Sequence, residues 1–188
     1  MGFQPAMASP QRIVVIGSTG SGKTTLSQNL SGQLGLARIE LDAIHWGADW
    51  TARDPGDIHT QTEAAIRVDR WVVDGNWKVV FDLVLKKADT VVWLNYPLPL
   101  VLWRLFRRTV RRAIRQEELW NGNVENWKEH FLSRNSIFLY AIRHTYRFRK
   151  TYRDRFNDPA YSHLQMIELR SPRQTWQWLN SLGTENAL

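Results

Sequence analysis

The chain has 188 residues, 43% of them hydrophobic, with 10 Trp, no Cys and a formal net charge of +7. That size and apolar content favour one globular domain with a sizeable core and argue against global disorder. The absence of cysteine excludes a disulfide framework and any cysteine-ligated metal site. Residues 1–11 have neither a basic start nor a long apolar run, and read as a flexible tail rather than a signal peptide. No apolar stretch reaches membrane-spanning length. A cytoplasmic protein is the expectation, with 12–188 forming the domain.

The first predicted element is the strand Arg12–Ile16, followed by Gly17-Ser18-Thr19-Gly20-Ser21-Gly22-Lys23-Thr24 and a helix over Lys23–Leu34. The octapeptide matches G-x-x-x-x-G-K-[ST], and a strand before it with a helix after it is the context a phosphate-binding P-loop needs. Its glycines let successive N–H groups turn inward at an anion, and the helix N-terminus aims a positive dipole end at the same point. Lys23 adds a mobile cation, Thr24 a hydroxyl placed to ligate Mg²⁺, and Thr25 is counted with the loop among the nucleotide-binding residues. A nucleoside triphosphate such as ATP, with Mg²⁺, is the expected ligand.

The second strand is predicted at Ala37–Leu41, ending at Asp42. Glu40 and Asp42 then alternate onto one side of its end. Either can help order a metal or hold an acceptor hydroxyl; the alternative is an exposed strand-end pair. The loop beyond carries His45, Trp46 and Trp50, whose rings can stack on a base, cover a sugar or fill the core. None of the five His shows metal-ligand spacing. A helix over 57–68 leads to the strand Trp71–Val73, closed by Asp74-Gly75. Asp74 stands where a carboxylate can hold Mg²⁺ through water opposite a P-loop, or simply make a strand-end turn.

A helix over Trp77–Lys86, a strand over Thr90–Leu94 and a helix over Leu98–Arg115 follow. Gly122 and its Asn neighbours break the pattern. Helical stretches at 124–132 and 135–155 come next. The chain closes with a strand over His163–Leu169 and a helix opened by Ser171-Pro172. Strands alternating with helices predict an α/β fold, a doubly wound parallel sheet of about five strands. Ligands in such sheets lie at the carboxyl ends of the strands, which gathers Gly17–Thr24, Asp42, Asp74, Asn95 and Ser171 around one crevice.

The basic charge is local. Between Arg104 and Arg155, 14 Lys and Arg stand against 5 Asp and Glu. Arg104, Arg107, Arg108, Arg111 and Arg112 fall on one helical stripe. Such a stripe can close on phosphates as a lid, follow a nucleic-acid backbone, or form a solvated face.

Taken together, G-S-T-G-S-G-K-T, L-D-A-I-H-W with Trp50, W-V-V-D-G-N-W, A-D-T-V-V-W-L, the arginine-rich helix and E-L-W-N-G-N resemble the adenylate kinase-like group of P-loop kinases. The subgroup is that of the DNA topology modulation (FlaR-like) proteins, and the resemblance covers most of Ile13–Leu182. It implies an acceptor-binding segment over 42–69 and a basic helical lid or insert over 104–155. It also implies lid residues Arg108 and Arg112 closing on the phosphates, and adenine contacts near Ser171-Pro172. Adenylate kinases follow the third strand with Asp-Gly-Phe-Pro-Arg, whereas this chain has Asp74-Gly75-Asn76-Trp77-Lys78, a departure that argues against AMP as acceptor. Glu40-Leu41-Asp42 is similar to the acidic pair of shikimate and gluconate kinases.

Three functions fit these features. One is a kinase passing the γ-phosphate of ATP to a nucleotide or other small hydroxylated acceptor, with Lys23, Asp42, Asp74, Arg108 and Arg112 in the chemistry. The others are a nucleic-acid-associated ATPase or regulator, and an ATP-binding module without catalysis.

Overall fold

The computed structural model describes residues 10–115, 120–123 and 137–184. The helix expected at 124–132, the first residues of that expected at 135–155, and most of the N-terminal tail lie outside the described residues.

Five strands form one sheet: β1 (Arg12–Gly17), β2 (Ala37–Glu40), β3 (Trp71–Asp74), β4 (Thr90–Leu94) and β5 (Gln165–Leu169). Their order is β2-β3-β1-β4-β5 and every neighbouring pair is parallel. The expected doubly wound α/β fold is therefore what the chain adopts. The helices are α1 (Lys23–Leu34), α2 (Leu41–His45), α3 (Pro55–Ala65), α4 (Lys78–Lys87), α5 (Leu98–Arg115), α6 (Ile137–Phe156) and α7 (Pro172–Thr184).

The two-residue period of a strand splits β1 between two cores. Ile13 and Val15 face a cluster with Leu26, Leu30, Val101 and Leu182. Val14 and Ile16 face the other, with Ile58, Val80, Val84 and Tyr152. Apolar residues on both faces are what a parallel sheet covered on each side requires. Full burial of each aliphatic side chain contributes about 1.5–3 kcal/mol, and all four of these in β1 are at most 1% exposed.

Several boundaries differ from the sequence expectation: α3 ends at Ala65 rather than 68, β5 begins at Gln165 rather than His163, and two more differences lie near the acceptor-side segment. Asp54 accepts a hydrogen bond from Gly56 N at 2.7 Å and Pro55 opens α3, so that helix starts two residues earlier than 57. Capping chemistry, not apolar period, sets its start. The second strand stops at Glu40, and Leu41–His45 is helical. Asp42 is thus not a strand residue alternating with Glu40; it lies in the first turn of α2.

The topology creates the crevice. β1 has β3 on one side and β4 on the other, so the chain order reverses across its carboxyl end. In open α/β sheets that reversal is where ligands bind.

Candidate active site

The segment after β1 turns at the reversal point and enters α1. Gly17, Gly20 and Gly22 have φ of 155°, 79° and 98°. At Gly20 a side chain is excluded twice over: by φ, and by space. A Cβ there would stand 3.0 Å from Val101 O and 3.1 Å from Leu105 Cβ. The loop therefore lies directly against α5. The first turn of α1 contains no acidic residue, so nothing on the helix opposes an anion at its N-terminus.

Lys23 folds back over the loop, and Nζ donates to Gly17 O at 3.0 Å and Ser18 O at 3.1 Å. Burial lowers its proton affinity, and Arg108 adds to that effect; Asp74 and Asp42 oppose it. Arg108, on α5, lines the same cleft as Lys23.

Asp74 ends β3, in register with Glu40 of β2 and Val15 of β1, and is 7% exposed. Burial raises its pKa, with smaller contributions from Asp42 and Glu40; Lys23 and the Thr24 hydroxyl pull it back toward the charged form. A carboxylate behind a P-loop hydroxyl suits a hydrated Mg²⁺, which keeps several waters and takes few protein ligands. Thr24 and Asp74 are the residues that would hold such an ion.

The cleft measures about 1370 Å³. Its floor is the P-loop from Thr19 to Thr25. One wall is α5, including Arg108, Arg111 and Arg112, and the opposite wall includes Glu40, Asp42 and Trp120. Of the residues singled out in the sequence, Lys23, Thr24, Asp42, Arg108 and Arg112 line this one cleft, while Asp74 and Ser171 are not part of its lining. Arg104 donates to Ser21 O at 3.2 Å and lies over the Tyr96 ring at 5.2 Å. It braces the loop at the base of the arginine stripe.

Ser171 has a different place. Its hydroxyl accepts from Gln174 N at 3.2 Å and caps α7. Pro172, Thr175 and Trp176 line the cleft at that end instead.

The loop aromatics also differ from one sequence expectation. His45 stacks on Trp77 with ring centres 3.5 Å apart, and Trp46 meets His45, Trp50 and Trp77 edge-on. These rings pack on one another and are not part of the cleft lining. Together they seat Asp42, whose Oδ1 accepts from Trp77 Nε1 at 2.7 Å. Among the aromatics that do line the cleft is Trp120, whose Nε1 donates to Glu40 Oε2 at 3.0 Å. The other Glu40 oxygen pairs with Arg38 Nη2 at 2.5 Å. Sequence reasoning gave Trp120 no role of its own; its only signal was its place in E-L-W-N-G-N.

No family model matches the chain, and no curated protein matches it by sequence. Solved structures do. A shikimate kinase from Bacteroides thetaiotaomicron superposes with a TM-score of 0.54 at 17% identity, over 95% of this chain and 99% of that one. A gluconokinase from Sinorhizobium meliloti 1021 gives 0.51 at 14%, over 95% and 97%. A deoxyadenosine kinase from M. mycoides with bound dCTP gives 0.52 at 13%, over 92% and 98%.

The chain has the fold of the P-loop kinases.

At these identities the likeness is one of architecture. Among the described residues, no helix is long and apolar enough to cross a membrane.

Proposed function

We propose that this protein is a kinase that transfers the γ-phosphate of ATP to a hydroxyl of a small acceptor, with Mg²⁺. The observation that carries the proposal is the meeting, in one cleft, of the P-loop with Lys23, the α5 arginines and the acceptor-side carboxylate Asp42. A resting ATP-binding module has no need of the last two. Within this reading, adenylate kinase-like ancestry near the FlaR-like subgroup is supported by the motifs quoted above.

The roles follow from placement. The P-loop amides and the α1 N-terminus hold the β- and γ-phosphates, and Lys23 leaves its carbonyl partners to follow the charge that develops between them. Mg²⁺, when bound at Thr24 and Asp74, supplies charge neutralisation on the phosphate oxygens. Asp42 is held by Trp77 through one oxygen, and its other oxygen orients the acceptor hydroxyl and receives its proton. Arg108 and Arg112 stabilise the transferring group. Their position in the cleft accounts for this part of the basic charge without nucleic acid.

Phosphoryl transfer from ATP across a panel of nucleosides, polyols, sugar acids and nucleoside monophosphates tests the proposal. At least one acceptor is expected to be consumed. Lys23→Ala is expected to lose about 10²-fold or more in turnover, as when one preorganised donor to developing charge is removed. Its circular dichroism should match wild type. Undiminished ATP-dependent turnover in that variant would sink the proposal. A DNA and RNA titration at low salt checks the nucleic-acid alternative, for which steeply salt-dependent binding is the signature.

A further inference from the structure

The Trp120–Asn123 turn has no part in the phosphate chemistry, yet it is bonded across the acceptor side. Asn123, 3% exposed, donates to Gly47 O at 2.8 Å and accepts from Trp50 N at 2.8 Å. Asn121 donates to Trp46 O at 2.6 Å. Trp120 bonds Glu40, as above. These contacts join segments more than 70 residues apart in sequence. They hold a loop whose Asp49 and Trp50, at φ 52°, take a left-handed conformation that side chains of L-residues avoid. The turn itself is left-handed at Asn121, with φ 58°, a conformation that Asn tolerates. A loop held in unfavourable backbone by a second segment is over-determined, and such positions gather at ligand sites.

The charge on this wall restricts what it can take. Glu40 is engaged through both oxygens, and its partner Arg38 is thereby neutralised. Asp42 presents a carboxylate with one oxygen committed to Trp77. The α5 arginines line the same cleft with Lys23, and in the kinase reading their charge is met by the donor phosphates. Trp120 lines the same cleft as Asp42 and bonds Glu40, and its indole is the kind of apolar face on which a ring can stack. An acceptor with its own negative charge about 4 Å from Asp42 would bind more weakly by about two to three orders of magnitude at the effective dielectric of a protein surface.

We propose that the Trp120–Asn123 turn is the specificity element of the acceptor half, and that the acceptor it selects is an uncharged hydroxylated ring of the nucleoside or cyclic-polyol class. This rests on the kinase reading above. Trp120 is the residue that touches the acceptor. Asn123 is a positioning residue, acting through the 46–52 loop and α2 on Asp42.

The test is acceptor kinetics with ATP, comparing nucleosides and cyclic polyols with anionic counterparts, namely nucleoside monophosphates and cyclic carboxylates. The two uncharged arms identify which ring chemistry is used. An uncharged acceptor should exceed its anionic counterpart in kcat/KM by about tenfold or more. Trp120→Ala should raise acceptor KM by about tenfold, the size of a lost stacking contact, while Trp120→Phe retains most of the affinity. Asn123→Ala should raise acceptor KM in the same direction. In all three variants the KM for ATP should stay at its wild-type value, which a general loss of structure would not allow. Preference for an anionic acceptor overturns the proposal, as does a Trp120→Ala variant whose acceptor KM is unchanged or whose ATP KM rises equally. Calorimetry with a non-hydrolysable ATP analogue separates the two readings. Binding of an uncharged ring without transfer removes the kinase reading and leaves the selectivity; no binding of any uncharged ring removes the selectivity.

Discussion

Asp42 shows how neighbours set what one carboxylate can do. Its Oδ1 is held by the Trp77 indole at 2.7 Å, and Trp77 is held by the His45 ring. Asp42→Asn keeps the shape and the Trp77 bond but cannot take a proton. Turnover is expected to fall about 10²–10⁴-fold, the range of a lost general base, with ATP binding unchanged in an equilibrium titration. His45 carries a separate, pH-dependent consequence. Burial holds its imidazole below the ordinary value of 6.5, against a smaller opposing pull from Asp42. The unfolded chain therefore binds the His45 proton at higher pH than the native state does. Stability from the neutral stack is complete above 6.5 and is lost as pH falls through that value toward the lowered native one. His45→Phe retains an aromatic stack and has no proton to take up. Its thermal midpoint should fall less than that of wild type between about pH 7 and 5; parallel curves would show that His45 does not set this acid limb.

At the scale of elements, the contact between the P-loop and α5 matters most. Gly20 admits the α5 backbone at Val101 and the Leu105 side chain, and Arg104 reaches back to Ser21. The base of the arginine helix is therefore part of the P-loop's packing, and any closing motion belongs to what lies beyond it. Gly20→Ala sets a Cβ against Val101 O and strains a φ of 79°. It should destabilise the protein by about 1–3 kcal/mol in denaturant titration and raise the KM for ATP, because the loop must shift to admit it. An unchanged denaturation midpoint would mean that the approach of α5 is looser than this packing implies. This region also shows what could be read in advance. Gly20 and Lys23 belong to a motif whose geometry is local, and β1 and β4 are apolar runs bounded by turn residues, so both were legible. The β2–α2 junction was not. Leu41-Asp42 continues the alternation of apolar and charged residues in β2, and nothing in a window that short separates a strand from one turn of helix. The role of Trp120 was hidden for another reason: its bond to Glu40 crosses 80 residues of sequence, and only the tertiary fold brings the two together.

For the whole molecule, the sheet order decides which strand ends meet, and the end of β4 is where most layers converge. Asn95 and Tyr96 lie just beyond β4. Arg149 of α6 donates to Asn95 Oδ1 at 2.7 Å and to Tyr96 O at 2.8 Å. Asn95 donates to Glu168 of β5, the Tyr96 hydroxyl bonds Thr175 of α7, and Arg104 of α5 lies over the Tyr96 ring. One guanidinium on α6 thus ties together the two edge layers and the end of the cleft near Trp176. Arg149→Met preserves the length and apolar stem of the side chain and removes both donors, leaving Asn95 Oδ1 and Tyr96 O without them. Charge-assisted bonds of this kind make the expected loss about 3 kcal/mol, or roughly 10 °C in Tm for a domain of this size. Arg149→Lys should recover only part of it, since a single ammonium does not reproduce the two-pronged geometry. Because Tyr96 lines the cleft, the KM for ATP should rise in both variants while the acceptor KM holds. Full recovery of Tm in Arg149→Lys would show that charge alone, rather than the bridge from α6 to β4, holds this end of the molecule.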